Sequence, residues 1–180
     1  RDPGEAFARA LADLDAFEAA EPELAVTRVQ RGNALHRQAQ YAGRLRQDPR
    51  PGYRAAVAAF EEAVARQPQL FEAVLGRANS RLALALAERD RGGAFREILE
   101  QSIAEYDEAL KLHPTHLLAL TNRGNALRHR APAELKAGKA PLEAFSPAIA
   151  TLERALEVNP KHIDAMETLA DTLAATAPAG

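Results

Sequence analysis

Histidines and paired carboxylates are the side chains of this sequence that could do chemistry. His113 and His116 are three residues apart, but no third imidazole or carboxylate follows at the spacing of a metal site. Neighbouring carboxylates such as Glu61 and Glu62 would need burial to shift a pKa for acid–base catalysis, and they lie on charged helical surfaces. The sequence contains no cysteine, which removes thiolate ligands and cysteine nucleophiles. It therefore predicts a protein that is not an enzyme, with no metal and no cofactor.

Three asparagines recur every 46 residues, each directly after a small residue: Asn33, Asn79 and Asn125. Asp171 occupies the same place in a degenerate fourth copy. Side-chain amides both donate and accept hydrogen bonds, so a series of them can bind the backbone of an extended peptide without reading its sequence. The alternative is that these residues only cap or bridge neighbouring helices. Three occurrences at one spacing favour contact with a ligand.

The same spacing organises the whole chain, because Pro22, Pro68, Pro114 and Pro160 are each 46 residues apart. Inside each unit, apolar residues are spaced three and four apart, which predicts a pair of amphipathic helices. Proline stops one helix and can start the next, because it lacks an N–H donor and has a fixed φ. We expect eight helices, at about residues 4–20, 23–46, 52–67, 69–89, 94–112, 115–136, 141–158 and 161–176.

The helices within each pair should be separated by turns rich in Gly, Pro and Asp. Pro147 leaves two alternatives for the seventh helix. Either Pro147 is its first residue after a Ser146 cap, or Pro147 lies within a helix that begins near Pro141. The expected turns are at residues 47–52, 89–93 and 137–141.

The composition is that of an ordinary globular chain. The 180 residues are 47% hydrophobic and 27% charged, and alanine and leucine dominate, which favours helix over strand. No run approaches the ~20 apolar residues of a membrane helix and no signal peptide opens the chain, so we expect no membrane association. The lack of cysteine does not locate the protein, because reducing and oxidising compartments both tolerate cysteine-free domains. We expect the cytoplasm, and export with removal of a signal is the alternative. Because the sequence starts at Arg1 and its single methionine is Met166, we expect it to be part of a longer protein or to have lost an N-terminal segment.

The repeat unit resembles the tetratricopeptide repeat, whose pattern runs from a small residue through an alanine, an aromatic or leucine and a second alanine to a proline. In the third unit these positions are Gly124, Ala148, Leu152, Ala155 and Pro160. The resemblance implies an all-α fold, an α-solenoid of antiparallel helix pairs in a right-handed superhelix of about eight helices. The usual unit has about 34 residues, and we expect the 12 extra residues of this one to lengthen both helices. HEAT repeats, of about 40 to 47 residues, are the alternative.

The repeats form a single array, in which both ends carry an apolar stripe where a terminal repeat normally has a polar face. We therefore expect at least one end to be covered in the full protein, by further repeats, another domain or a second copy. The array consists of a half repeat at 1–21, repeats at 22–67, 68–113 and 114–159, and a half repeat at 160–180. The stripes are Phe7, Leu11, Leu14 and Phe17 at one end, and Ile163, Met166, Leu169 and Leu173 at the other.

The resemblance also implies where a ligand binds. In tetratricopeptide repeats the residue after the small one faces the concave groove, and further groove positions lie three or four residues beyond it. Val29 and Leu75 stand where chaperone-binding members carry lysine or polar residues for a C-terminal carboxylate, so a chaperone-tail receptor is disfavoured. The candidate peptide-binding residues are Asn33, His36, Arg37, Asn79, Asn125, Arg128, His129 and Asp171.

Charge is unevenly distributed, although the formal net charge is only −2. Residues 28–54 carry seven arginines against Asp48 alone, and residues 119–139 are also basic. A positive surface attracts an acidic segment of a partner; the alternative is a solvated face. Nucleic acid is disfavoured as a partner, because stacking aromatics are nearly absent from these stretches and the net charge is not basic.

These observations predict a protein–protein interaction module that binds a peptide or protein segment in the concave groove. Two alternatives stay open. The chain is a regulatory or substrate-recognition arm of a larger enzyme, such as a protease or a glycosyltransferase, or it self-associates end to end through its terminal helices.

Overall fold

The fold is built from helices. The computed structural model describes residues 3–89 and 94–177, and within them it contains eight α-helices and no strand. Their bounds differ from the expected ones by at most two residues. The turn expected at residues 89–93 lies, apart from Arg89, outside the described residues. The helices are α1 (Pro3–Ala20), α2 (Ala25–Arg44), α3 (Arg50–Arg66), α4 (Phe71–Arg89), α5 (Phe95–Leu112), α6 (Leu117–Lys136), α7 (Pro141–Val158) and α8 (Ile163–Ala174).

Successive repeats are joined by the same turn. Where one pair ends, a backbone carbonyl accepts a hydrogen bond from the N–H three residues further on, and a proline lies between them. Because proline has no N–H and a fixed φ, the preceding helix ends here. The 46-residue spacing of the prolines therefore marks a repeated turn. The four carbonyls belong to Glu21, Gln67, His113 and Asn159, with N···O distances of 3.4, 3.0, 3.2 and 3.1 Å.

The chain divides into two compact units, Arg1–Glu105 and Tyr106–Gly180, with the boundary inside α5. In the first unit, α3 packs between α2 and α4, and their apolar faces meet in two clusters. The larger cluster contains Val29, Ala56, Phe60, Ala63 and Ala73. The smaller one contains Ala39, Tyr53 and Leu84.

Glycines allow the helices of the first unit to approach Phe60 closely. A Cβ on Gly32 of α2 would lie 2.8 Å from the Phe60 ring, and a Cβ on Gly76 of α4 would overlap the same ring. Real Cβ atoms do not come this close to a ring, so each helix can hold its present position only with glycine at the contact. The Phe60 side chain, 1% exposed, is thus enclosed by two helix backbones.

The second unit uses the same contact with leucine in place of phenylalanine. α7 packs against α6 and α8, and a Cβ on Gly124 of α6 would lie 2.6 Å from Cγ of Leu152. The second unit therefore has an aliphatic side chain in α7 at the repeat position where α3 of the first unit has an aromatic ring. Its clusters are Leu120, Leu152, Ala155 and Ala165, and Ala131, Ala144 and Phe145.

The extra residues of the 46-residue repeats lengthen the helices, as expected. Ala39, Ala85 and Ala131 lie in the added segments of α2, α4 and α6, and they are 2%, 0% and 0% exposed. α7 begins at Pro141 and contains Pro147, which is the second of the two alternatives for this helix. In the described ranges, no helix is long and apolar enough to cross a membrane.

Candidate functional site

α2 presents a continuous polar face. Its exposed residues follow the helical spacing of three and four, so they run along about 21 Å of the helix at a rise of 1.5 Å per residue. α2 contains no acidic residue, and neither Arg37 nor Arg44 forms an ion pair within the part of the chain that the structure describes. The face consists of Gln30, Asn33, Arg37, Gln40 and Arg44.

Asn33 and Arg37, two of the residues singled out from the sequence, also line an open cleft of about 500 Å³ between α1 and α2. The α1 wall contributes the apolar side chains of Phe7 and Leu14 and the carboxylate of Asp13. One wall is therefore mainly apolar and the other carries amide and guanidinium groups. A ligand that fits this cleft combines apolar side chains with groups that bind amides and cations.

His36 lies away from this face. Its Nδ1 is 3.0 Å from Oγ of Ser80 in α4, and its ring centroid is 5.3 Å from that of Tyr53 in α3. Ser80 Oγ donates to the Gly76 carbonyl at 2.9 Å, which leaves its lone pairs to accept the imidazole N–H. Burial, with a smaller contribution from the charge on Arg37, lowers the pKa of His36 and favours the neutral ring. His36 therefore connects α2 to α4 and does not accompany Asn33.

The other amides of the series are less accessible than the one in α2. Asn79 is partly buried on α4. In the second unit, Asn125 Oδ1 accepts a hydrogen bond from Arg128 Nη2 at 3.0 Å, both residues being on α6. His129 is half-buried on the same helix, whereas Asp171 is exposed on α8. Although these residues recur at one spacing, their exposure and hydrogen bonds in the folded chain differ.

The arginine before each small residue bridges helices, a role that the sequence analysis missed. Arg31 donates from Nε to Oε1 of Glu18 in α1 at 2.9 Å. Arg123 donates from Nε to Asp107 of α5 at 2.6 Å and from Nη1 to Oγ1 of Thr151 in α7 at 2.5 Å. The recurrence of arginine every 46 residues was a visible signal. Two of its partner positions recur as well: Asp15 and Asp107, which pair with Arg31 and Arg123, are 92 residues apart, and Glu105 and Thr151, which contact Arg77 and Arg123, are 46 residues apart.

In the first unit, arginines of this kind form ion pairs with buried carboxylates. Glu105 of α5, with its side chain 5% exposed, forms ion pairs with Arg77 and Arg81 of α4. Glu18 is also buried in this unit. Burial by itself raises the pKa of Glu18, but hydrogen bonds from Arg31 and a second arginine of α2 outweigh it and lower the pKa below its usual range. Such a carboxylate stays ionised near neutral pH, which suits a structural ion pair better than general acid catalysis.

Three histidines line a cleft of about 630 Å³ in the second unit: His113, His116 and His162. The Nδ1 atoms of His116 and His162 accept hydrogen bonds from the backbone N–H groups of Ala119 and Ala165, at 3.3 and 3.2 Å. Each of these two imidazoles therefore caps the N-terminus of a helix. In the described part of the chain, no three His, Cys, Asp or Glu residues are grouped to hold a metal ion.

A solved structure shares this fold. The first tetratricopeptide repeat domain of the human RPAP3 protein, determined by NMR, matches with a TM-score of 0.53 and 18% identity, over 82% of this chain and 93% of that one. The chain therefore has the fold of a tetratricopeptide repeat domain, which confirms the resemblance seen in the sequence. TTC0263, a thermophilic tetratricopeptide repeat protein of Thermus thermophilus, matches with a TM-score of 0.46 and 21% identity, over 93% of this chain and 91% of that one. No protein family model and no curated protein sequence matches the chain.

Proposed function

We propose that this chain is a protein-interaction module that binds an acidic protein or peptide segment along the exposed face of α2. The composition of that face carries the proposal, because it combines amides with guanidinium groups and contains no carboxylate. Amides satisfy peptide N–H and C=O groups, and guanidinium groups form charge-assisted hydrogen bonds with carboxylates. The fold supports the same function, since helical repeats of this kind present extended binding surfaces.

Arg37 and Arg44 are the cations that such a ligand would meet. Arg31, on the same helix, already donates to Glu18 and is committed to the α1–α2 contact. Arg37 shares its cleft with Asn33. One acidic side chain of the ligand and the peptide group next to it would therefore be bound at adjacent points of α2.

The second unit carries a related set of residues that is less available to a ligand. Arg128 and His129 are partly exposed on α6, and the Asn125 amide is hydrogen-bonded to Arg128. Binding here requires Asn125 to exchange an internal hydrogen bond for one to the ligand, which reduces the net gain. We propose that these residues of the second unit bind such a segment more weakly than the face of α2 does.

Two charge reversals test the proposal. Arg37→Glu places a carboxylate on the binding face, whereas Arg96→Glu changes an exposed arginine of α5 outside it. The probe is a fluorescein-labelled peptide library in which half of the positions are Asp or Glu, and a Lys-rich library is its counterpart. We expect Arg37→Glu to weaken binding of the acidic library by about tenfold in fluorescence anisotropy, because a repulsive contact replaces an attractive one.

The matched control and the library comparison give the proposal two ways to fail. Arg96→Glu should leave the affinity for the acidic library within about twofold, since single surface charges outside the contact act mainly over a Debye length of ~8 Å. Circular dichroism of both variants should show unchanged helicity. Equal binding of the acidic and Lys-rich libraries to the unchanged protein would rule the proposal out, as would equal losses in the two variants.

A further inference from the structure

The turn between α2 and α3 holds a side chain in an unfavourable backbone conformation. Arg46 has a φ of 59°, and among the residues that the structure describes no other residue except glycine has a positive φ. In this region Cβ crowds the following carbonyl oxygen, so residues other than glycine, asparagine and aspartate seldom adopt it. Such a conformation persists where the surrounding structure imposes it, and it is frequent at binding sites.

The second unit forms the same turn with glycine. Gly138, with a φ of 91°, stands 92 residues, or two repeats, after Arg46. In each turn, the N–H of the next residue donates to the carbonyl five residues back, at 2.9 Å from Gln47 and at 3.1 Å from Lys139. This hydrogen bond closes the end of a helix around one left-handed residue. Because glycine adopts that conformation freely, the turn itself does not require an arginine.

The side chain of Arg46 is therefore the part that needs an explanation. Its guanidinium group is exposed and forms no ion pair or hydrogen bond within the described residues. The same holds for Arg44, and Leu45 between them is 52% exposed. The nearest acid in the sequence, Asp48, pairs with Arg50. Residues 44–46 thus form a cationic patch around an exposed leucine.

A neighbouring repeat does not cover this patch. α4 packs against both α2 and α3, yet residues 43–48 are all exposed. The turn of the second unit, residues 136–140, is also exposed, although α7 packs against α6 and α8. Successive repeats contact each other through their helices. We therefore expect a further repeat before α1 to leave residues 44–46 open, as α4 does.

The patch continues the binding face proposed for α2. That face ends at Arg44, and Arg46 follows two residues later. From Arg37 to Arg44 the helix rises by about 10 Å, which an extended peptide spans with about three residues. A segment that pairs one acidic residue with Arg37 can therefore place a second one at the turn.

An anionic lipid surface is the other partner that cations beside a leucine could attract. Recognition of such a surface usually takes about four to eight clustered basic residues, whereas the patch contains two. Gln40 and Gln47 are exposed close to the arginines in the sequence. Their amides can satisfy peptide N–H and C=O groups, which favours a protein segment over a lipid surface.

We propose that residues 44–46 bind the acidic end of the segment that lies along α2, and that Arg46 keeps its left-handed conformation for this contact. The inference rests on the function proposed above and specifies its ligand further. One acidic residue pairs with Arg37, and a second, about three residues along, pairs with Arg44 and Arg46. An apolar side chain of the ligand packs on Leu45.

The experiment compares Arg46→Gly with Arg46→Lys in the full chain, with the fluorescein-labelled acidic library as the probe. Glycine removes the cation and the unfavourable φ together. We expect the affinity to fall by about fivefold or more in fluorescence anisotropy, and the melting temperature to rise by about 1 to 3 °C. Lysine keeps both the charge and the backbone conformation, so it should keep the affinity within about twofold and the melting temperature unchanged.

Two further variants are matched controls. Arg96→Gln also removes one exposed positive charge, but from α5, and it should leave the affinity within about twofold. Gly138→Arg places an arginine at the left-handed position of the second unit. It should lower the melting temperature by about 1 to 3 °C, which shows that the backbone conformation has the expected cost.

The outcomes separate this inference from the function on which it rests. Weaker binding by a more stable Arg46→Gly variant supports it. Unchanged binding by Arg46→Gly, while Arg37→Glu still weakens binding, overturns the inference and leaves the proposed function intact. If Arg46→Gly weakens binding and Arg37→Glu does not, the turn binds acidic segments by itself and the proposed face of α2 is overturned.

Two other results would overturn the inference. A lower melting temperature of Arg46→Gly would show that the Arg46 side chain stabilises the turn. The other result is binding of the unchanged chain to phosphatidylserine vesicles that Arg46→Gly abolishes, with unchanged affinity for the acidic library. It would assign the turn to a lipid surface.

Discussion

The two units of this molecule build the same helix contacts with different chemistry. In the first unit, α4 and α5 are joined by an ion pair between Arg81 and the buried carboxylate of Glu105. In the second unit, the corresponding places are held by Leu127 and Thr151, which are 3% and 4% exposed. The repeat therefore fixes the position of the contact and tolerates there either an ion pair or a leucine beside a threonine, whose Oγ1 still accepts a hydrogen bond from Arg123.

The small-to-large contacts vary less between the units. Phe60 is approached by two glycines in the first unit, and Leu152 by one glycine in the second. The position of the second glycine, Gly76, is taken by Asn122 in the second unit. Backbone-to-ring distance is a steric constraint that no rearrangement of side chains can relieve. The small residue of the first helix recurs at Gly32, Ala78 and Gly124, and the arginine before it recurs at Arg31, Arg77 and Arg123.

The largest expected effect is the loss of the central side chain in each unit. Phe60→Ala should destabilise the protein by about 3 to 5 kcal/mol, because it removes a fully enclosed ring between two glycine-bearing helices. Leu152→Ala removes a smaller side chain and should cost about 2 to 4 kcal/mol. Urea unfolding followed by circular dichroism measures both. A larger loss for Leu152→Ala would contradict the difference in packing between the units.

A smaller effect should distinguish two carboxylates of α5, Glu105 and Asp107. Glu105→Gln should cost about 1 to 3 kcal/mol, because Arg77 and Arg81 lose the charge of a buried acceptor. Asp107→Asn, which changes a side chain that is 44% exposed and pairs with Arg123, should cost less than about 1 kcal/mol. The same denaturation experiment compares them. Equal losses would mean that the ion pairs of the first unit contribute no more than a surface pair does.

The pH dependence of stability should originate partly in the first unit. Burial lowers the pKa of His36 in the folded state, so the unfolded chain binds this proton more readily. The His36 contribution is therefore fully present above about pH 6.5 and falls as the pH decreases, with a slope of at most about 1.4 kcal/mol per pH unit. The second unit has Arg128 in place of this imidazole.

The measurement is urea unfolding between pH 7.5 and 5 for the unchanged protein and for His36→Gln. The difference between the two unfolding free energies should narrow as the pH falls, because only the unchanged protein has a neutral buried imidazole to protonate. A difference that does not vary with pH would show that His36 is accessible to protons in the folded state.

The smallest expected effects concern helix caps, which again differ between the units. His162→Ala should cost about 0.5 to 1 kcal/mol, because the N–H of Ala165 loses its acceptor. Leu24 precedes α2 without any side-chain cap, and Leu24→Asn should gain a similar amount. Thermal unfolding checks both variants. A neutral Leu24→Asn would indicate that the first turn of α2 already has its N–H groups satisfied.

The periodicity of the sequence was sufficient for the helices and for the resemblance to the tetratricopeptide repeat. Proline and glycine at fixed positions act locally on the backbone, so Pro68 and Gly32 can be interpreted without knowing their neighbours. The candidate site was less predictable. Arg37 and His36 are adjacent in the sequence and were grouped as ligand contacts, yet only Arg37 is exposed, while His36 is hydrogen-bonded to Ser80.

For the residues that the structure describes, the sequence by itself determined the eight helices and the close contacts between small and large residues, because each of these depends on local backbone geometry and a constant period. The tertiary structure decided which polar groups are available to a ligand. Exposure depends on which helix covers a given face, and a salt bridge depends on a partner many residues away. The bridging role of Arg31, the burial of Glu105 and the cleft between α1 and α2 are therefore visible only once the helices are packed.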